Sequence, residues 1–360
     1  MHNIPPLLSI VIPTLNEAEN LPALLEDLKK QQDILLEIIV GDGGSSDITR
    51  SVAEDFGVTF VSARRGRGAQ MNAAALQASG DYFLFLHADS RIDDPNLLGT
   101  ALHVMNIELC NQKWVAGHFC LRFLRTTKRN SMAYRYAEEK TAFNRVNTTN
   151  GDQGLLISRD FFRRLGGFDE SLPFLEDQRI VEKIRSRGKL ITLPGYLKTS
   201  ARRFEAEGFH RRYTLMSMMM GLYSVGEHSF FVRAPGLYQV QQHTDKLYLS
   251  PFFGLIWRMM REDWGLRGSI RVFYLLGRYI RQNSWQLFYF IDVWLRQLLG
   301  EGRYPFLYFH DRVFAPCTNF KVFNAVVGVL CLIWFMGILA PIYRVIDSRQ
   351  QKLNPRHEVI

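Results

Sequence analysis

The sequence predicts an α/β fold: a mixed, mostly parallel sheet flanked by helices, then amphipathic helices and a hydrophobic C-terminal helix. Three observations carry the prediction. Four short apolar runs at residues 7–13, 37–40, 58–61 and 82–86 alternate with helical patterns at βαβ spacing. The runs lead into polar or Gly/Ser-rich turns, as strands do at the edge of an open sheet. Past Arg202 the composition shifts to aromatics, leucines, methionines and arginines.

Leu7-Leu8-Ser9-Ile10-Val11-Ile12-Pro13 is β-branched and apolar, the pattern of a strand buried on both faces. Residues 17–32 place Leu21, Leu24, Leu25 and Leu28 on one helical face. The strand at 37–40 ends at Gly41-Asp42-Gly43-Gly44-Ser45-Ser46-Asp47, where Ser46 or Asp47 can cap a helix over 48–56. After the strand at 58–61, Gly66-Arg67-Gly68 opens an Ala-rich helix over 69–78. The strand at 82–86 stops at His87-Ala88-Asp89-Ser90. Further on, a helix is expected over 95–107, a strand over 113–123, a loop or mobile helix over 126–143, a turn into a strand over 151–158, helices over 159–165 and 176–187, and a strand over 190–193.

Residues 252–261 and 269–299 mix aromatics, leucines and arginines at helical spacing, the pattern of helices that lie in a membrane interface or of ordinary amphipathic core helices. Residues 322–340 are nearly unbroken apolar sequence, with Asn324 the one strongly polar member. That length suffices to cross a bilayer. Arginines and lysines lie on both sides of it, so a transmembrane and a re-entrant helix both fit. The expected layout is a catalytic domain over 1–235, a membrane-proximal region over 236–318, the hydrophobic helix over 319–345 and a polar tail over 346–360.

The chain has 360 residues, 47% of them hydrophobic and 13% aromatic, with a formal charge of +9. The charge fits an acidic partner, and the aromatic-rich second half favours a membrane surface over nucleic acid. Four scattered cysteines, without metal-ligand spacing, read as thiols of a reducing compartment. The N-terminal apolar run holds prolines and lacks a basic region before it. The expected location is a membrane, with the catalytic domain on its cytoplasmic face.

Asp42, Asp89 and Asp177 lie too far apart in sequence to act locally; only strand ends converging on one sheet edge would make them a site. Asp89 there could grip a divalent cation or be a plain surface turn. Asp177 could be a general base or a helix cap; a carboxylate in a first helical turn sits where the macrodipole favours negative charge.

The order Ser9-Ile-Val-Ile-Pro-Thr-Leu-Asn-Glu, Glu37-Ile-Ile-Val-Gly-Asp-Gly-Gly-Ser-Ser-Asp, Leu86-His-Ala-Asp-Ser and Glu176-Asp177 resembles family 2 glycosyltransferases of the GT-A fold, over roughly residues 7–225. It is most similar to a bacterial subgroup with a Leu-His-Ala-Asp signature and a Ser-Ala-Arg-Arg-Trp-like segment, here Ser200-Ala201-Arg202-Arg203-Phe204. The resemblance implies inverting, metal-assisted transfer from a nucleotide-sugar donor, UDP-linked by preference, with Mn²⁺ or Mg²⁺. It implies that Pro13, Thr14, Asn16, Glu17, Asp42, Arg67, Gln70, Ala88 and Asp89 line the donor side. It puts the metal on Asp89 and the base at Asp177. Asp152, Gln153, Glu176, Arg202 and Arg203 fall to the acceptor or phosphate side. Where many relatives carry Asp-x-Asp, this chain has His87, which ligates Mn²⁺ better than Mg²⁺ or serves a phosphate or packing role. The aromatic and arginine-rich C-terminal region adds a lipid or lipid-linked acceptor as the expected partner. A nucleotidyltransferase is the second enzyme reading, and a noncatalytic nucleotide-sugar-binding membrane protein the third. The first would need a Gly-rich phosphate loop where Pro13-Thr14-Leu15-Asn16-Glu17 stands.

Overall fold

The computed structural model describes residues 7–172, 174–239 and 246–353. The chain start before Leu7 and the end of the expected polar tail lie outside the described residues. The chain forms two compact units, one of residues up to 128 with 133–201, the other of residues 129–132 with those from 202 on.

In the first unit the expected alternation is present. It runs β1 (Leu7–Thr14), α1 (Leu21–Lys29), β2 (Leu35–Asp42), α2 (Thr49–Asp55), β3 (Thr59–Ser62), α3 (Arg67–Gln77), β4 (Tyr82–Phe85), β5 (Ser90–Arg91) and α4 (Leu97–Asn111). It continues with β6 (Val115–Leu124), α5 (Ser131–Lys140), β7 (Leu155–Ser158), α6 (Arg159–Leu165), α7 (Glu176–Arg187) and β8 (Lys189–Ser200). The sheet order is β3-β2-β1-β4-β7-β6-β8-β5. Strands β3, β2, β1 and β4 are parallel neighbours, β7 is antiparallel to both β4 and β6, and β8 runs parallel to β6. The sheet is therefore mixed and mostly parallel.

Alternation along β1 shows why its sequence is apolar throughout. Ile10 and Ile12 pack with Leu21, Leu24, Leu25 and Leu28 of α1 and with Leu97 and Leu98 of α4. Val11 points to the opposite core, among Met71 and Ala74 of α3, Phe161 and Phe162 of α6, and Ile180 of α7. Each fully buried side chain of this size stabilises the fold by about 1.5–3 kcal/mol relative to exposure.

One expectation narrows and two change. Of the loop or mobile helix expected over 126–143, the helical alternative is present, narrowed to α5. The strand expected over 190–193 runs on to Ser200: β8 itself carries extra residues at Leu193-Pro194-Gly195 opposite Phe119 of β6, and pairing resumes at Tyr196. The cap expected from Ser46 or Asp47 is displaced: α2 begins after Ile48 without a side-chain cap, although the Thr49 N–H still donates to Asp47 Oδ1 at 3.0 Å.

The second unit is helical among its described residues. Its elements are α8 (Arg202–Glu207), α9 (Phe209–Ser224), α10 (His228–Gln239), α11 (Ser250–Arg258), a π-helical turn Met259–Trp264, α12 (Gly265–Gln282), α13 (Trp285–Trp294) and α14 (Arg296–Leu299). Short helical pieces lead from there to α15 (Lys321–Leu332), which continues without interruption through a π-helical stretch, Ile333–Leu339, into α16 (Ala340–Leu353). One helix, Lys321–Gln351, is long and apolar enough to cross a membrane by length and composition.

Candidate active site

The carboxyl ends of β1, β2 and β4 meet at one edge, because β1 lies between the other two in register, Thr14 beside Asp42 and Val11 beside Phe85. Two loops leave this edge and are laced together. Thr14 Oγ1 donates to Asp42 Oδ1 at 2.9 Å, and Ser45 Oγ donates to the same oxygen at 2.5 Å. The Gly44 and Ser45 N–H groups donate to Asp42 Oδ2 at 2.9 and 2.8 Å. Asp42 is buried, and these four donors occupy its four lone-pair sites. Asn16, in the left-handed region at φ 56, accepts from the Ser46 N–H at 2.8 Å and donates its own N–H to Ser45 Oγ at 2.8 Å. The Glu17 N–H donates to Thr49 Oγ1 at 3.0 Å.

Pro13 and Ala88 are buried in the strand ends beneath these loops. Gln70 lies there too, donating to the carbonyls of Thr14 at 2.5 Å and Gly41 at 3.3 Å. Gly41 has no room for a side chain: an added Cβ would lie 2.4 Å from the Gln70 carbonyl oxygen. Gln70 thus ties the loops from below.

The second part of the site forms where β7 returns antiparallel to β4, pairing Leu155 with Phe85. That register sets the turn before β7 beside the turn after β4. The turn is a single 3₁₀ segment, Gly151–Gln153, with a complete capping box between Asn150 and Gln153. His87 Nδ1 lies 2.8 Å from Asp152 Oδ1, and His87, Asp89 and Asp152 each offer a ligand atom within 4.8 Å of the others. Asp152, expected on the acceptor side, therefore joins the expected metal residues. One imidazole and two carboxylates make an N/O donor set that fits Mn²⁺ well and Mg²⁺ less well. Burial opposes a charge on His87, but the hydrogen bond and negative charge of Asp152, with Asp89 adding to them, hold the imidazole above its ordinary pKa. A bound cation would reverse that balance.

Gly151 connects this cluster to the expected base. Its N–H donates to Asp177 Oδ2 at 2.7 Å, and an added Cβ would lie 2.7 Å from His87 Nε2. Asp177 Oδ1 accepts from the Gln178 N–H at 2.8 Å, within the first turn of α7. Leu175 precedes that turn in the left-handed region, at φ 64. For a branched side chain this conformation is strained, and such strain concentrates at functional sites. Next to Asp177, buried Glu176 pairs with Arg67 at 2.8 Å. Burial pushes the Glu176 carboxyl up; the Arg67 guanidinium opposes this and the Asp177 charge adds to it. His87, Thr149, Gly151, Glu176 and Asp177 line one small cavity.

The other expected residues lie elsewhere. Gln153 is fully buried and turns inward, donating to the Phe119 carbonyl at 3.1 Å. Arg202 and Arg203 are exposed at the start of α8, in the second unit. Two residues that sequence reasoning did not single out support the site. Gln178 Nε2 donates to the Thr149 carbonyl at 2.5 Å and so fastens α7 to the 149–153 turn. Asp27 of α1 is buried and accepts from Arg91 Nε at 2.5 Å and from the Ile92 N–H at 3.1 Å, anchoring the chain just after Asp89. The only signal for Asp27 was a carboxylate beside an apolar helical stripe.

The mixed α/β sheet thus gathers acidic residues from the ends of β2 and β4 and from the turns beside them. Residues 9–165 match the family model described as Glycosyl transferase family 2, and over that segment the chain is similar to this family. An uncharacterized glycosyltransferase of Rickettsia typhi is 29% identical over 183 residues, which make up 48% of this chain and 56% of that one. A PGL/p-HBAD biosynthesis glycosyltransferase of Mycobacterium bovis is 36% identical over 100 residues, 26% of this chain and 39% of the relative. The chain thus spans about half the length of the first relative and less of the second. Among solved structures, S. aureus TarS 1-349 in complex with UDP is similar at a TM-score of 0.45 and 17% identity, covering 89% of this chain and 90% of that one.

Proposed function

We propose that the protein transfers a sugar, with inversion, from a nucleotide-diphosphate sugar to a hydroxyl or phosphate of a lipid or lipid-linked acceptor. The donor is UDP-linked. The observation that carries this reading is the link through Gly151: one backbone turn joins a His87–Asp89–Asp152 donor set to Asp177, in a domain similar to family 2. Inverting transfer needs both ends of such a link. Negative charge develops on the leaving diphosphate, and a carboxylate must take the acceptor's proton from the opposite side.

In this reading the loops 14–17 and 42–46 hold the nucleotide. Asp42 is saturated by Thr14 and by Gly44 and Ser45 of its own loop, so its part is to fix the two loops; a base contact would displace one of its present donors. His87, Asp89 and Asp152 hold Mn²⁺, and the bound metal supplies charge neutralisation for the leaving diphosphate. Arg67, held by Glu176, places a guanidinium beside the same region. Asp177 receives the proton, oriented by the Gly151 and Gln178 N–H groups. The membrane association rests on the apolar Lys321–Gln351 helix, and the cytoplasmic face on four free cysteines, which a reducing compartment preserves.

The test is transfer from radiolabelled UDP-sugars into lipid extract by the full chain in phospholipid vesicles with Mn²⁺. Metal-dependent labelling of lipid that falls about 10³-fold in Asp177→Asn is expected. Turnover that survives both Asp89→Ala and Asp177→Asn overturns the assignment.

A further inference from the structure

The hydropathy of residues 322–340 suggests a helix that crosses the bilayer. We infer instead that the α15–α16 helix lies along the membrane surface, one face docked on its own unit and the other immersed in an anionic phospholipid leaflet. The inference deepens the membrane-linked function proposed above and rests on it only for the identity of the acceptor.

The helix has two different faces. The inner face carries Asn324, Gly328, Cys331, Phe335, Tyr343 and Asp347, which recur at helical spacing. Each residue of this stripe is placed against the unit or buried. Asn324 Oδ1 accepts from Arg281 Nε at 2.8 Å. Gly328 approaches α12 so closely that an added Cβ would lie 2.4 Å from the Phe273 carbonyl oxygen, and at Gly277 a Cβ would lie 2.0 Å from that of Asn324. Cys331 is buried. The Phe253 ring lies 6.2 Å from that of Phe335 and stacks at 6.1 Å on that of Tyr343. Buried Asp347 pairs with Arg211 at 2.6 Å and accepts the Leu249 and Ser250 N–H groups at 3.0 and 2.8 Å. The outer face carries Val322, Val326, Val329, Ile333 and Trp334, all exposed.

Docking at both ends decides the orientation. From Asn324 to Asp347 the helix rises about 35 Å, somewhat more than a hydrocarbon core of about 30 Å. If it crossed, its contacts at 249–253 and at 273–281 would lie at opposite membrane faces. The chain between those contacts would then traverse the bilayer as well. That chain carries Arg258, Arg261, Glu262, Asp263, Arg267 and Arg271, all exposed. Each exposed charge at bilayer depth costs several kcal/mol. A re-entrant hairpin fails for a different reason: the helix runs from Lys321 to Leu353 without reversing.

Lying flat removes both conflicts. The valines and isoleucine of the outer face enter the acyl boundary. On α12, exposed Leu266 and Ile270 alternate with exposed Arg267 and Arg271, an arrangement that lets alkyl stems lie on lipid while guanidinium groups meet phosphates. Exposed Trp257, Trp294 and Trp334 supply the amphipathic rings that favour the interface. The cationic groups select an anionic leaflet over a second copy of this chain, whose matching surface would carry the same arginines.

The two ends of the helix test the orientation directly. Asn319→Cys and Arg349→Cys are made separately in the full chain with Cys110 and Cys317 replaced by serine, and sealed membrane vesicles are treated with a membrane-impermeant maleimide. Both positions are expected to react equally before and after permeabilisation when the catalytic side faces out. If one reacts only after permeabilisation, the helix crosses and the inference is overturned. In flotation with vesicles of phosphatidylethanolamine and phosphatidylglycerol, Val329→Glu and Ile333→Glu are each expected to weaken binding roughly tenfold. A protein that self-associates without vesicles and does not float with them also overturns the inference. Lipid glycosylation measured in the same labelled vesicles reads the functional proposal separately: same-side labelling without transfer defeats the lipid-acceptor reading and leaves the orientation standing.

Discussion

The two halves of the candidate site are built on opposite principles. At the 14–17 and 42–46 loops every hydrogen bond closes inward: Asp42 has four donors, Asn16 grips Ser46, and Gln70 ties the floor. At the 87–89, 150–153 and 176–177 turns, four carboxyl groups and an imidazole are gathered around one glycine. The first half is a finished scaffold whose shape is set before any ligand arrives. The second concentrates negative charge, which a cation and an acceptor proton can stabilise. Preorganisation serves binding in the one, and charge placement serves chemistry in the other.

Substitutions can break this contrast in order of expected effect. Asp177→Asn should lower kcat about 10³-fold with donor affinity retained, measured by steady-state transfer alongside calorimetric binding of the nucleotide. An equal loss in donor affinity would move Asp177 out of the chemical half. Asp152→Ala should weaken Mn²⁺ binding by about 10- to 100-fold, followed by electron paramagnetic resonance of free Mn²⁺. Unchanged affinity would return Asp152 to a role in orienting His87. Asp42→Asn should destabilise the first half by about 2 kcal/mol in urea unfolding, because an amide NH₂ would face donors.

The smallest effect concerns the support beneath the chemical half. Desolvation raises the Asp27 carboxyl, but hydrogen bonds from Arg91 and Ile92 and the Arg91 charge outweigh it, and the net pKa is lowered. A lowered folded value contributes stability above the unfolded value near 3.8, which is lost as pH falls through the folded value. Asp27→Asn should therefore cost about 1–2 kcal/mol at pH 7, discounted for the partial exposure of Arg91. The gap to the wild type should close in acid below pH 3.8. A gap that persists there would assign the loss to packing.

Much of the sheet was legible because β1, β2 and β4 are buried on both faces and so are written as apolar runs. Asp42 and Asp89 stood out because each follows an apolar strand pattern, and Asp177 only through the order of the motifs. The proximity of Asp152 to His87 was not legible because it depends on an antiparallel return, β7 onto β4, which no local pattern encodes. Gln70 was assigned to the donor side by the resemblance alone; its ties to the Thr14 and Gly41 carbonyls depend on two loops that no local pattern brings together. The C-terminal helix was hardest to read. Hydropathy averages around a helix, so Asn324 counted as a lone interruption, Gly328 passed as one more apolar residue and Asp347 fell in the expected polar tail, when they form a docked face.

Leu175 sets backbone strain against backbone freedom in the chemical half. A glycine at that left-handed position would remove a penalty of about 1–2 kcal/mol. It would also give the backbone ahead of Glu176 and Asp177 freedom that a leucine denies. Leu175→Gly should then raise the melting temperature while lowering turnover, so stability and activity respond to this one side chain in opposite directions.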